Sequence, residues 1–194
     1  EVGIKPTPSI GGVGLIKDYA KMISMDLKEI DNLVLIIGKT EGHIDQSLFA
    51  RTILDEKNGP PPEVNLFNEK NNGESILNLI DKGYVKSAHD ISLGGLLVAI
   101  SKMCIKGNKG IKINKSKNLI NEIEYFFAED QGRYLIEVNK EDLKEVTKIL
   151  NKNSVHHEEL GIITQNDMII NEKTKVTIDE LKSYYTNWLS KYMS

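Results

Sequence analysis

The stretch Lys86-Ser87-Ala88-His89-Asp90-Ile91-Ser92-Leu93-Gly94-Gly95-Leu96-Leu97-Val98-Ala99-Ile100 constrains the fold more than any other part of the chain. An extended run from Gly83 to Ala88 enters a loop with a histidine, an acid, a hydroxyl and two adjacent glycines, and an apolar helix follows at once. Glycines let a ligand approach the backbone, because no Cβ stands in the way. The first N–H groups of a helix lack intrahelical partners and can receive an anion. His89, Asp90, Ser92, Gly94 and Gly95 are therefore candidate phosphate or nucleotide contacts. A plainer reading stands beside this one: Ser92 or Asp90 caps the helix and the glycines only make a tight turn. Taken alone, the spacing favours the plainer reading, since short glycine loops are common.

Composition narrows the class. The 194 residues can bury one real core, or one domain plus an appended segment. Forty per cent apolar and 27% charged residues fit a globular protein, and a net charge of −3 gives no electrostatic reason to expect nucleic acid. No apolar run approaches the ~20 residues of a membrane span. Glu1 to Ala20 lacks the basic start and apolar stretch of a secretory leader, and the single Cys104 suits a reducing compartment, so a cytoplasmic placement is expected. Cys104 lies on the apolar side of its helix and reads as a buried, inert thiol. The chain starts without methionine, in mid-pattern, which suggests a fragment.

Punctuation along the chain predicts its organisation. Residues 1–30, dense in Pro and Gly around Gly11-Gly12-Val13-Gly14, read as the tail of a preceding domain and a linker, with the body spanning 31–194. Leu33-Val34-Leu35-Ile36-Ile37-Gly38 predicts a buried strand. A helix is expected over Ser47 to Leu54 with Asp45 as cap, and a second over Glu74 to Asp81 ended by Gly83. Between them Gly59-Pro60-Pro61-Pro62-Glu63 must be extended. Strands follow at Ile111 to Asn114, Arg133 to Val138 and Leu160 to Thr164, and Met168 to Val176 fits a hairpin. Asn139 with Asp142, and Thr177 with Glu180, have capping-box spacing before helices. The last helix carries Leu181, Tyr184, Tyr185, Trp188, Leu189 and Tyr192 on one face, a stripe for core or interface. The class expected is α/β (α+β): a mixed sheet layered with helices.

Four stretches, in order, resemble the synthetase subunits of the phosphoribosylformylglycinamidine synthase family, the formylglycinamide ribonucleotide amidotransferases. They are Pro6-Thr7-Pro8-Ser9-Ile10-Gly11-Gly12-Val13-Gly14-Leu15-Ile16, Gly59-Pro60-Pro61-Pro62-Glu63-Val64, Ser87 to Leu96, and Phe127-Ala128-Glu129-Asp130-Gln131-Gly132-Arg133-Tyr134. The third is shared with the wider aminoimidazole ribonucleotide synthetase-like superfamily. The resemblance implies a C-terminal fragment: the end of an A-type domain, then a second B-type domain with an α/β/α layered fold. It implies a ligase that converts formylglycinamide ribonucleotide to the amidine with ATP, Mg2+ and glutamine-derived ammonia. Expected partners are upstream domains of the same polypeptide, a glutaminase subunit and a small accessory subunit, or other copies of the chain. The metal-binding acids and catalytic histidine of the family lie upstream, so no catalytic or metal residue is expected here. A rival reading is a stand-alone, non-catalytic binding module of the same fold.

In the family's first B domain a Glu-Ser-Gln stretch contacts the ribonucleotide. Glu129-Asp130-Gln131 holds the corresponding place, so these three and Arg133 are substrate-site-like candidates. The second acid would repel a phosphate; alternatively Glu129 and Asp130 end a strand and pair with Arg133 or a lysine on the surface. His89 reads as a structural hydrogen-bonding residue. The segment Gly42-His43-Ile44-Asp45-Gln46-Ser47 departs from the family's Gly-Gly-Ser-Glu, which makes His43 a loop residue rather than a ligand. His156 and His157 are expected in an exposed polar turn. From the glycine-loop reading, Gly95→Asp should weaken phosphate binding and change melting little.

Overall fold

In the computed structural model, residues 9–113 and 121–194 are described. Pro6 to Pro8 of the first motif, and Asn114 at the end of an expected strand, lie outside the described residues. Strand β1 (Leu33–Ile37) is the central feature, for all five side chains are buried. Alternation sends Leu33, Leu35 and Ile37 to one face and Val34 and Ile36 to the other. The odd face meets Ile76 and Leu79 of α2 (Leu66–Asp81) and Val146 and Leu150 of α5 (Leu143–Lys152). The even face meets Leu96, Ile100, Met103 and Cys104 of α3 (Gly95–Gly107), Tyr125 and Phe126 of α4 (Glu122–Phe127), and Ile178 of α6 (Ile178–Met193). Helices on both faces make the α/β/α layering.

The remaining strands are β2 (Val85–Asp90), β3 (Gly110–Ile113), β4 (Tyr134–Val138), β5 (His157–Thr164), β6 (Asp167–Ile170) and β7 (Thr174–Thr177). The sheet order is β2-β4-β1-β5-β3-β6-β7, antiparallel throughout except for the β3/β6 pair. The sheet is therefore mixed, as the patterning predicts. In β5 the register slips opposite Val34/Leu35, because Gly161 faces Val34 and Glu159 faces Leu35, leaving Leu160 as an extra residue.

Several boundaries differ from the sequence expectation, each for a local reason. Helix α2 starts at Leu66 rather than Glu74, capped by the Asn65 side chain, which accepts from Asn68 N at 3.0 Å. Its buried stripe is Asn72, Ser75, Ile76 and Leu79. The first two are polar, so the helical period is invisible to a hydrophobicity reading. Their needs are met inside: Asn72 Nδ2 donates to Gly132 O at 2.9 Å and Ser75 Oγ accepts from Asn153 Nδ2 at 3.0 Å. Helix α1 is only Leu48–Thr52, and Ser47 rather than Asp45 caps it. The Asn139/Asp142 box does not form: Asp142 makes no side-chain cap bond and Asn139 Oδ1 is buried without a partner. The Thr177 cap does form, with Glu180 N donating to Oγ1 at 3.2 Å. Strand β2 runs on through His89 and Asp90, which the sequence places in the loop, and His157 opens β5 instead of lying in a turn. The aromatic stripe of α6 is largely exposed; only Ile178 of that helix is buried.

Packing onto the body also begins before Asp31. Leu27 is buried and donates its N–H to Met103 O at 3.4 Å, and Ser24 bridges Ser87 beside the edge strand. Glu137, fully buried in β4, fastens this entry segment. Its carboxylate accepts from Lys28 N (2.8 Å), Glu29 N (3.0 Å), Asn32 Nδ2 (2.8 Å) and Ser87 Oγ (2.9 Å). Removing a buried acceptor strands its donors, at a cost of about 3 kcal/mol or more when the bond is charge-assisted. Glu137→Ala is expected to lower the melting temperature by roughly 6–12 °C and to expose the amides of Lys28 and Glu29 to exchange. Thermal melts with amide exchange check both; an unchanged melt would show that the entry segment is held by other contacts.

Candidate functional site

The candidate residues gather at one end of the sheet, in its loops or, for His89, Asp90 and Gly95, in the strand and helix that flank the glycine loop. The loop after β1 (Gly38–Ser47), the glycine loop after β2 (Ile91–Gly94) and the segment Ala128–Arg133 before β4 converge there. Glu129 joins them. Its Oε1 accepts from Leu48 N at 2.7 Å and from Gly94 N at 2.8 Å, while its own N–H donates to His43 O at 3.0 Å. Asp130 takes the other end of the first loop: Oδ2 accepts from Glu41 N (3.0 Å) and Gly42 N (3.2 Å), and Oδ1 from His43 N (3.0 Å). Both acids bind backbone; the expected pairing with Arg133 is made by Asp130, at 3.8 Å, but in a buried position rather than on the surface.

Arg133 is 1% exposed. Its guanidinium donates to Ala128 O (2.6 Å), Thr40 Oγ1 (3.0 Å) and Asp130 O (3.4 Å), with the Asp130 carboxylate 3.8 Å away. Burial pulls its pKa below the ordinary value while Asp130 opposes the shift. Its N–H groups are turned inward to carbonyls. Gln131 alone of the Glu-Asp-Gln stretch is exposed, on the rim between two clefts. The larger, roughly 650 Å³, runs from Lys39 and Glu41 past Glu63 and Asn68 to Glu69 and His156. The smaller, roughly 250 Å³, holds Asp90, Ser92, Leu93 and Glu129.

The glycine loop is tight. Gly94 is the N-cap of α3 with φ of +89°, and no side chain of its own caps the helix. Gly95 N–H donates to Ser92 O at 2.9 Å and Gly94 N–H goes to Glu129. The two glycine N–H groups of the loop are thus engaged within the chain. A Cβ on Gly95, at φ +73°, would lie 2.7 Å from Phe127 C and Ala128 O, both backbone. This corrects the expectation that Gly95→Asp leaves melting unchanged: the packing, not only a ligand, requires glycine there.

His89 Nδ1 lies 3.1 Å from Asp90 Oδ1, and Nε2 is buried without a partner. Burial depresses its pKa, outweighing the attraction of Asp90, and Lys102 adds to the depression. Burial disfavours the Asp90 carboxylate, but bonds from Ser92 and His89 hold its pKa below the ordinary range. His43 Nε2 lies 3.1 Å from Pro60 O, a loop contact as expected. Burial pushes the Cys104 thiol up to about 12, in keeping with an inert core cysteine. No group of three or more His, Cys, Asp or Glu among the described residues could hold a metal ion, and no helix among them is long and apolar enough to cross a membrane.

Comparison with known proteins places this arrangement. Residues 29–171 match the family described as AIR synthase related protein, C-terminal domain. The chain belongs to that family. This AIR synthase-related domain is 66% identical, over 193 residues, to the phosphoribosylformylglycinamidine synthase subunit PurL of Pelagibacter ubique, a match covering 100% of this chain and 26% of the relative. The PurL of Bartonella henselae is 37% identical over 190 residues, covering 98% and 26%. The chain thus spans about a quarter of the length of these relatives, and the PurL resemblance read from its motifs holds. In structure it is similar to Thermotoga maritima PurL complexed with FGAR, with a TM-score of 0.69, 18% identity, and coverage of 84% of this chain and 30% of that one. Other solved forms of that protein include a complex with ATP and the PurLQS assembly. At this identity the structural match shows the fold: an α/β AIR synthase-like domain.

Two predictions follow from this geometry. Gly95→Ala should lower the melting temperature by roughly 5 °C or more, since the neighbours of its Cβ are backbone; a melt within a degree of the parent would mean the loop relaxes freely. For His89 the unfolded chain takes up a proton at higher pH than the folded one, so stability falls as pH drops below the ordinary histidine range and continues down to the depressed folded value. Denaturant unfolding at pH 7.5 and 5.5 should show a smaller loss in His89→Gln than in the parent. Equal losses would assign the pH dependence to other groups.

Proposed function

We propose that this chain supplies the second B-type domain of a phosphoribosylformylglycinamidine synthase. That ligase converts formylglycinamide ribonucleotide to formylglycinamidine ribonucleotide with ATP, Mg2+ and glutamine-derived ammonia in purine biosynthesis. The observation that carries the reading is the 66% identity to a PurL subunit along the full length of the chain. The end of the preceding A-type domain and its linker then fall within residues 1–30, the last part of which, from Ser24, is packed onto this domain. The upstream domains of the longer polypeptide hold the reacting groups, and glutaminase and small accessory subunits deliver ammonia; the solved PurLQS assembly supports such partners, and a cytoplasmic setting accords with them.

In this reading the domain acts as a scaffold and as a wall of the nucleotide site. ATP would meet a reactive phosphoryl acceptor elsewhere, since the residues here do not fit a phosphate in the glycine loop: Gly94 N–H is bonded to Glu129. The side chains that face the clefts are Gln131, at the rim of both, and Asp90 with Ser92, bonded to each other, in the smaller one. Gln131 offers one acceptor and two donors without charge, suited to a ribose or an amide rather than to a phosphate.

The 194-residue chain should fold and show no turnover of formylglycinamide ribonucleotide with ATP, Mg2+ and ammonia, because catalysis by phosphoryl transfer needs the positioning groups supplied by the rest of the polypeptide. A coupled assay for ADP release checks this. ADP release dependent on the ribonucleotide, at a rate of about 1 per second or above, would place the reacting groups in this domain and overturn the scaffold assignment.

A further inference from the structure

The glycine loop has the form of an anion receptor, and its anion is already present. Glu129 reaches Gly94 N–H from 35 residues away in sequence, at 2.8 Å, and the same oxygen takes Leu48 N–H at 2.7 Å. One carboxylate oxygen therefore sits where the backbones of two loops aim their donors. The surrounding packing holds it there. Phe127 stacks on Phe49 with ring centroids 4.8 Å apart, and Gly95 lies against the backbone of Phe127 and Ala128. On its next residue, Asp130 fixes the Glu41–His43 backbone. The smaller cleft opens beside Glu129, and its walls carry Glu69, Asp90 and Asp130, with Arg133 the one cation among the described residues that line it and its N–H groups turned to Ala128 O, Asp130 O and Thr40 Oγ1. A second anion arriving there meets like charges and finds the N–H groups of Gly94 and Gly95 engaged.

We propose that Glu129 is the chain's own ligand for the oxyanion position of the glycine loop, holding the loop in a self-liganded state closed to external phosphate. The acid does for the loops what a bound phosphate does in an open site: it brings two sets of backbone donors to one point. The proposal concerns this domain alone and stands whether or not the chain serves the ligase described above.

The test uses the 194-residue chain and formate, a free carboxylate small enough to replace the missing group. Glu129→Ala should melt roughly 5–10 °C below the parent. Formate, exchanged for chloride at constant ionic strength, should restore part of that loss saturably. The amide resonances of Gly94 and Leu48 should move with the same half-saturation concentration. Neither the parent nor Glu129→Gln, whose amide oxygen keeps the acceptor in place, should respond. If Glu129→Ala needs formate to fold at all, a saturable formate dependence of native circular dichroism is the same positive result, and failure to fold at any formate concentration counts against the proposal. A Glu129→Ala variant that melts like the parent, or an equal formate effect in all three proteins, overturns it. So does a saturable shift of the parent's Gly94 amide with inorganic phosphate, which would show a loop open to external anions.

Discussion

Five consecutive side chains of β1 are withdrawn from water, and a strand can do this only when both faces of its sheet are covered. From this constraint the layering follows. The odd residues need α2 and α5, the even ones need α3 with α4 and α6. Because neither layer is dispensable, the loops that connect strand to helix are pressed together at one end of the sheet. The site candidates lie there as a consequence of the packing, whatever chemistry they serve.

Pressing loops together creates a second problem, since backbone N–H groups become crowded and shielded from water. The chain answers it with carboxylates. Glu129 and Asp130 serve the loops after β1 and β2, and Glu137, on the strand that follows, serves the entry segment and Ser87. All three act as acceptors for donors distant in sequence, a use for which a carboxylate with its several lone-pair sites is well suited. Arg133 does the converse, turning its donors to inner carbonyls. Charges that read as surface or ligand-binding groups in a linear chain are here fasteners of backbone.

What could be read from the sequence follows this division. The apolar run of β1, the α3 core face, Gly83 after α2, the hairpin of β6 and β7 and the Thr177 cap were all legible, because each is written in neighbouring residues. The first half of α2 was not, since its one buried side chain is Asn72, in an inward position that the eye seeks in leucine or isoleucine. The roles of Glu129 and Asp130 were not legible either. Their partners lie some 35 to 90 residues away, and backbone donors leave no trace in residue type. The one local hint was the absence of a good capping side chain at Gly94, which means that something remote must serve that helix end.

The extra residue in β5 has a consequence of its own. With Leu160 inserted opposite the Val34/Leu35 step, Leu160 and Ile163 both enter the α3 side although they stand three apart, an odd spacing that a regular strand forbids. The strand therefore keeps two parities, one before the bulge and one after it. A change of chain length in β5 is not a small perturbation spread along the ladder: it swaps inside for outside over everything between the change and the bulge. Tolerance to insertion and deletion should thus divide sharply at Leu160, and length variation in this part of the fold should come in pairs of residues or else move the bulge itself.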